Sequence, residues 1–173
     1  MTTPSTALLG LVLGACALAA ASDAVTRRIP NVIPLAILIG IVIERTQHGW
    51  SALGSGIGAL AIVLIAGTFV HARGWFGGGD VKLAAAVAAA FGIPAVFSFV
   101  LFTAACGGVV ALAVLFLTRR ISAREAVVAV DVLVRTRAVT LAHAKATVPY
   151  AIAIAFGAVL TTISLHVPAL HLL

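Results

Sequence analysis

The fold is decided by the stretch Phe76-Gly77-Gly78-Gly79-Asp80-Val81-Lys82-Leu83, which lies between two strongly apolar segments at residues 52–70 and 83–117. Three successive glycines allow backbone conformations that are closed to other residues, and they allow another chain to approach closely. A charged carboxylate at the centre of a bilayer costs roughly 2.5–3.5 kcal/mol, so aspartates are rare there unless they have a function. The stretch therefore indicates either a functional carboxylate or a turn in which Asp80 caps the next helix.

The composition is that of a membrane protein. Of the 173 residues, 62% are hydrophobic and only 9% are charged, whereas soluble domains carry about 25% charged residues. We therefore expect an all-α, polytopic membrane protein with a single transmembrane domain over residues 1–173, in contact with lipid. The net charge of +6 does not indicate a nucleic-acid partner, because the basic residues lie between apolar runs rather than in one patch.

Apolar runs separated by polar or glycine-rich breaks predict about six transmembrane helices. The region at 83–117 has 35 residues, too many for one crossing of about 20 residues, and Gly92-Ile93-Pro94 interrupts it. Its first part, residues 83–91, spans only about 14 Å as a helix, so we expect a short fourth helix followed by a full fifth one. The other predicted helices cover residues 6–22, 29–43, 51–70 and 148–167, with a glycine-rich loop at 71–79 and a basic stretch at 118–147.

The distribution of basic residues predicts the orientation of these helices. If every break is a crossing, ten Lys or Arg residues fall on one side and only Arg45 falls on the other, which is a strong positive-inside signal. We expect the first side to face the cytoplasm and both termini to lie outside. The ten residues are Arg27, Arg28, Arg73, Lys82, Arg119, Arg120, Arg124, Arg135, Arg137 and Lys145.

Asp23 and Asp80 fall on the same side of the membrane in this topology, at similar depth. Two carboxylates brought together share one proton, because like charges about 3 Å apart do not both ionise. The ionised partner then acts as a general base on water, and the protonated partner polarises the scissile carbonyl. The alternative for Asp23 is a surface ion pair with Arg27 and Arg28, which contributes little energy.

Two motifs resemble those of the type IV prepilin peptidases, a family of membrane aspartic peptidases with a G-x-G-D motif. The first aspartate motif is similar to Asp23-Ala24-Val25-Thr26-Arg27-Arg28-Ile29-Pro30-Asn31, the second is similar to residues 76–83, and Val148-Pro149-Tyr150-Ala151 resembles a segment at the start of their last helix. The resemblance implies an endopeptidase of the inner membrane that removes short basic leader peptides from prepilins at the cytoplasmic face. It also implies that Asp23 and Asp80 are the catalytic pair, in an active-site loop with Gly77, Gly78, Gly79 and Lys82.

The larger bacterial members of that family carry an N-terminal cytoplasmic segment with a tetracysteine zinc site, and they methylate the new N-terminus. This sequence shows no such segment, and its cysteines, Cys16 and Cys106, form no CxxC pair. It resembles the small single-domain branch that serves Flp-type, tight-adherence pili. We therefore expect a peptidase without a metal, a cofactor or N-methyltransferase activity.

Two alternatives of other classes stay open. A small proton-coupled transporter also holds membrane aspartates, although usually near the midplane between internal repeats. A non-enzymatic component of pilus or secretion assembly would tolerate the loss of both carboxylates. Processing of a co-expressed pilin distinguishes these readings from the peptidase.

The remaining charged residues have weaker expectations. Lys82 either neutralises Asp80 or extends to the membrane interface, and the second is favoured. Residues 126–134 are apolar enough to lie on the membrane surface as an interfacial helix. No pattern in the sequence indicates an oligomeric state.

Overall fold

The computed structural model describes residues 4–26, 29–74, 76–135 and 150–166, and these residues form six α-helices without strands. The all-α prediction with six helices is therefore confirmed. The helices are α1 (Thr6–Thr26), α2 (Val32–Gln47), α3 (Trp50–Ala72), α4 (Gly78–Phe91), α5 (Ile93–Arg135) and α6 (Tyr150–His166).

Three helices in the described part of the chain are long and apolar enough to cross a membrane. These spans are Thr6–Asp23 in α1, Trp50–Ala72 in α3 and Ile93–Ala113 in α5. The fourth helix is short, as expected, with 14 residues, and α2 and α6 have 16 and 17, compared with about 20 for a full crossing. Helix length and composition therefore identify a membrane protein, and its orientation stays a prediction.

The helix ends nearest the two aspartates differ from the predicted ones. α1 continues to Thr26, so Asp23 lies within its last turns and not in a polar segment after it. The reason is that no helix breaker follows Asp23 until Pro30. α4 begins at Gly78, so two of the three glycines are helical. An acidic residue in the first turn stabilises a helix start at this position.

α4 is the central helix of the fold. Its residues from Asp80 to Phe91 are all buried except Lys82, and α1, α2, α3 and α6 all pack against it. Six of its residues are alanines, whose small side chains allow neighbouring helices to approach closely. Glycine serves the same purpose in α3, because a Cβ on Gly67 would lie 2.7 Å from Cγ1 of Val81.

α4 ends at the break that the sequence predicts. Gly92 has a φ of 76°, in the left-handed region that favours glycine, and its N–H donates to the carbonyl of Ala88 at 2.9 Å. Ile93 begins α5, and its N–H donates to Oγ of Ser55 in α3 at 3.0 Å. A single residue in the left-handed region therefore separates the short fourth helix from α5.

Arg45 is buried at this end of α4, with 5% of its surface exposed. Its guanidinium donates to the carbonyl of Ala90 at 2.8 Å and to the carbonyl of Ala52 at 2.7 Å. Ala90 lies in the last turn of α4, where carbonyls lack helical partners and the helix dipole attracts a cation. Arg45 therefore joins α2 to the C-terminal end of α4 and the first turn of α3.

The chain divides into two compact units. The first comprises Met1–Gly107 and Pro149–Leu173, and the second comprises Gly108–Val148. The described part of the second unit is the C-terminal portion of α5, so the backbone at residues 126–134 is helical. Its location on a membrane surface stays a prediction, as does the single domain over residues 1–173, and residues 136–147 of the basic stretch lie outside the described residues.

Candidate active site

Asp80 is the third residue of α4, and its two carboxylate oxygens have different surroundings. One oxygen accepts a hydrogen bond from the backbone N–H of Gly77, the N-cap residue of the helix. An acidic residue at this position commonly binds the N-cap N–H in this way. The other oxygen, Oδ1, is buried without a hydrogen-bond partner. Helix capping therefore accounts for one of the two carboxylate oxygens. The other, Oδ1, is suited to bind a water or a substrate.

Asp23 lies on the buried face of α1, and 9% of its surface is exposed. The same face carries Val12, Cys16 and Ala19. This face packs in the core cluster that also contains α4 residues. Asp80, with 8% exposed, lies close enough to Asp23 for the two carboxylates to repel each other. The structure thus brings together the two aspartates that the sequence pairs.

The environment of Asp80 favours its protonated form. Asp80 lies outside the three spans given above, and its pKa is raised from 3.8 to about 6. Burial is the largest cause, because it disfavours the ionised form, and the charge of Asp23 adds to it. The hydrogen bond from the Gly77 N–H acts in the opposite direction. A carboxyl that stays protonated to about pH 6 beside a second carboxyl is suited to acid–base catalysis.

Two of the three glycines in the loop, Gly77 and Gly79, allow a close approach, and none of the three has an unusual backbone conformation. Gly77 has a φ of −71°, and Gly78 and Gly79 are helical, so the expectation of conformations closed to other residues is wrong here. A Cβ on Gly77 would lie 2.6 Å from Oδ2 of Asp80, and one on Gly79 would lie 3.2 Å from Cβ of Ile29. A Cβ on Gly78 would lie at an ordinary contact distance, 3.6 Å, from Cε1 of His71.

Lys82 is exposed on α4 and donates a hydrogen bond to Oδ1 of Asn31 at 3.2 Å. Asn31 is the N-cap residue of α2, but its side chain does not cap that helix. The amide therefore links the start of α2 to α4. The expected extension of Lys82 to the membrane interface stays a prediction.

Phe76 is held from two sides. Its carbonyl accepts a hydrogen bond from Nδ1 of His71 at 2.7 Å, and its ring stacks on Tyr150 with centroids 4.3 Å apart and planes inclined by 28°. The sequence assigned no role to His71 and placed Tyr150 only within a motif of the last helix. In the sequence, His71 and Tyr150 are recognisable only as a polar and an aromatic residue at helix ends near the glycines. Such residues are too common at helix ends to indicate a function.

Metal ligation has no basis in the described part of the chain. No group of three or more His, Cys, Asp or Glu residues there is arranged to hold a metal ion. Cys16 and Cys106 are both free.

Comparison with known proteins gives one family. A model of the type IV leader peptidase family matches residues 10–112, more than half of the chain, and the match includes both aspartates and the whole of α4. Neither a curated protein nor a solved structure matches the chain. The chain therefore belongs to the type IV leader peptidase family.

Proposed function

We propose that this leader peptidase is an aspartic endopeptidase in which Asp23 and Asp80 together activate water. The observation that carries the proposal is a buried pair of carboxylates in which Oδ1 of Asp80 has no hydrogen-bond partner. Two carboxylates that share one proton are the machinery of aspartic proteases. Membership of a peptidase family supports the same reaction.

The raised pKa of Asp80 favours one division of labour. Asp80 holds the shared proton and donates it to the oxygen of the scissile carbonyl, while ionised Asp23 removes a proton from water. The water oxygen bonds to the carbonyl carbon and gives a tetrahedral intermediate. When this intermediate collapses, the C–N bond breaks, the proton held by Asp23 passes to the leaving amine, and Asp80 recovers its own. No metal or cofactor is required for this sequence of steps.

The proposed substrate is a prepilin of the Flp type, from which a short basic leader is removed at the cytoplasmic face of the inner membrane. The positive-inside asymmetry supports this orientation, because it places Asp23 and Asp80 on the basic side. We further propose that the new N-terminus is left unmethylated.

The test is processing of a co-expressed Flp-type prepilin by Asp23→Asn and Asp80→Asn. Each change keeps the size of the side chain and removes its ionisation, so we expect each to lower processing by more than about a hundredfold at normal abundance in the membrane. The double variant should be little worse than either single one, because the two groups act as a unit. Asp131→Asn is the matched control and should process normally.

Substantial cleavage by either single variant would overturn the dyad and favour an assembly or transport role. Mass spectrometry of the same processed pilin gives a second result. A free N-terminal amine is expected, and a methyl group that depends on this protein would contradict the peptidase-only assignment.

A further inference from the structure

Phe76 connects the ends of two other helices to the candidate site. His71 is in the last turn of α3, and Tyr150 is the first residue of α6. Since a carbonyl oxygen only accepts hydrogen bonds, Nδ1 of His71 must carry the proton in its bond to Phe76. Ring stacking of the kind seen with Tyr150 stabilises a pair by about 0.5–1.5 kcal/mol beyond its buried area.

Phe76 immediately precedes Gly77, whose N–H binds the Asp80 carboxylate. The peptide unit that carries this N–H consists of the carbonyl of Phe76 and the nitrogen of Gly77, and it is planar. The bond from His71 to the Phe76 carbonyl therefore fixes the direction in which the Gly77 N–H points. The stack on Tyr150 restrains the same residue through its side chain.

The polar and titratable groups near the start of α4 come from the helices that pack against it. α1 contributes Asp23, α3 contributes His71 and α6 contributes Tyr150, while α2 contributes the Asn31 amide, which binds Lys82 of α4 itself. The charged residues of α2, Glu44 and Arg45, lie near its other end. Among the described groups, the Gly77 N–H is thus the donor that favours ionised Asp80.

We propose that His71 and Tyr150 are positioning residues for Asp80, which together hold Phe76 so that the Gly77 N–H stays aligned with the carboxylate. This proposal rests on the function proposed above. Neither residue is required to touch the substrate. Loss of either contact loosens the Gly77 N–H, weakens its bond to ionised Asp80 and so allows Asp80 to remain protonated at higher pH.

The first test compares Tyr150→Leu with Tyr150→Phe, using the pH dependence of prepilin cleavage by the full-length protein in detergent. Tyr150→Leu removes the stack and should move the alkaline limb of kcat/KM upward by about half a pH unit or more, with a lower kcat and little change in KM. Tyr150→Phe keeps the ring and should retain the wild-type limb. Phe156→Leu is the matched control, because it removes an exposed aromatic side chain from the same helix.

The second test examines the other contact of Phe76. His71→Leu removes the donor and should shift the alkaline limb in the same direction, whereas His71→Asn offers an amide N–H in a similar place and should restore it. If Tyr150→Leu does not accumulate in the membrane, the two His71 variants test the positioning role on their own. A wild-type alkaline limb in both leucine variants would overturn the proposal, and so would a shift in Tyr150→Phe equal to that in Tyr150→Leu.

The two proposals fail in different ways. If Asp23→Asn and Asp80→Asn are inactive but the leucine variants keep the wild-type pH profile, the dyad stands and the positioning role is wrong. If either asparagine variant still cleaves, the proposed function itself is wrong.

Discussion

Gly77 and Asp80 are in such close contact that a methyl group on the glycine would lie 2.6 Å from Oδ2 of the aspartate. Real Cβ atoms do not approach an oxygen so closely, and Gly77 also donates its N–H to this carboxylate. The N-cap position of α4 therefore accepts no side chain unless Asp80 moves. This contact gives the glycine motif a physical reason that depends on the carboxylate itself.

Gly77→Ala should lower prepilin cleavage at least about tenfold, because Asp80 must turn away from its bond with the backbone. Gly78→Ala is the matched comparison, since its Cβ would meet His71 at an ordinary 3.6 Å, and it should lose much less. The measurement is initial cleavage rate at equal amounts of membrane-inserted protein. Equal losses in the two variants would contradict a special contact at Gly77.

Gly79→Val should also depress cleavage, but through Ile29. The Cβ at this position would lie 3.2 Å from Cβ of Ile29, and a β-branched side chain adds two further methyl groups. Removing the neighbouring Cβ should therefore help: the double variant Gly79→Val with Ile29→Gly is expected to recover part of the activity that Gly79→Val loses. Rates of the two single variants and the double variant measure this coupling. Simple additivity of the two losses would show that Ile29 is not the obstacle.

The pH dependence of cleavage follows from the raised pKa of Asp80, about 6. Protonated Asp80 is the proposed acid, so kcat/KM should decline as pH rises above about 6, with a limiting slope of about tenfold per pH unit. Protein incubated at each pH and then assayed at pH 6 controls for irreversible inactivation. A constant rate between pH 6 and 9 would contradict the proposed role of Asp80.

The raised pKa of Asp80 also predicts how the stability of the protein changes with pH. Ionisation of Asp80 is less favourable in the folded protein than in the unfolded chain, so its contribution to stability is largest below its ordinary pKa of 3.8. This contribution is lost as the pH rises from 3.8 to about 6, and it is constant above that value. Asp80→Asn should remove this part of the pH dependence from thermal unfolding in detergent.

Arg45→Met should destabilise the fold by about 1–3 kcal/mol, because the carbonyls of Ala52 and Ala90 lose their donor in a buried place. Arg73→Met removes an exposed arginine at the end of α3 and is the matched control, with an effect near zero. Thermal aggregation in detergent compares the two. Equal stability of both variants would show that the guanidinium contributes little at the end of α4.

The helices were predictable where length and composition decide them. An apolar region of 35 residues is too long for one membrane crossing, and this one contains a glycine and a proline near its start. The helix breaks there, at Gly92. The helix ends near Asp23 and Gly78 were not predictable in this way, because the hydropathy pattern ends a helix at its first polar residues. α1 continues past Asp23 to Thr26 because no glycine or proline interrupts it there, and α4 begins where an acidic residue stabilises the first turn.

The candidate site was predictable in its two aspartates and not in the residues around them. Asp23 and Asp80 are recognisable because acidic residues are scarce in this sequence, with five Asp and Glu in total, and because their motifs are specific in combination. The bond between Asn31 and Lys82 joins residues 51 positions apart, and the stack of Phe76 on Tyr150 joins residues still further apart. Such contacts depend on how the helices pack, which local periodicity does not determine.

The shortness of α4 affects how the protein is made. Fourteen residues form a helix about 21 Å long, which does not cover a hydrocarbon layer of about 30 Å. A helix of this length therefore depends on protein contacts rather than on lipid, and α1, α2, α3 and α6 all pack against it. Tyr150, which stacks on Phe76, emerges from the ribosome only with the last helix. The contact between Phe76 and Tyr150 therefore forms only after α6 has been synthesised, so the surroundings of α4 are completed late.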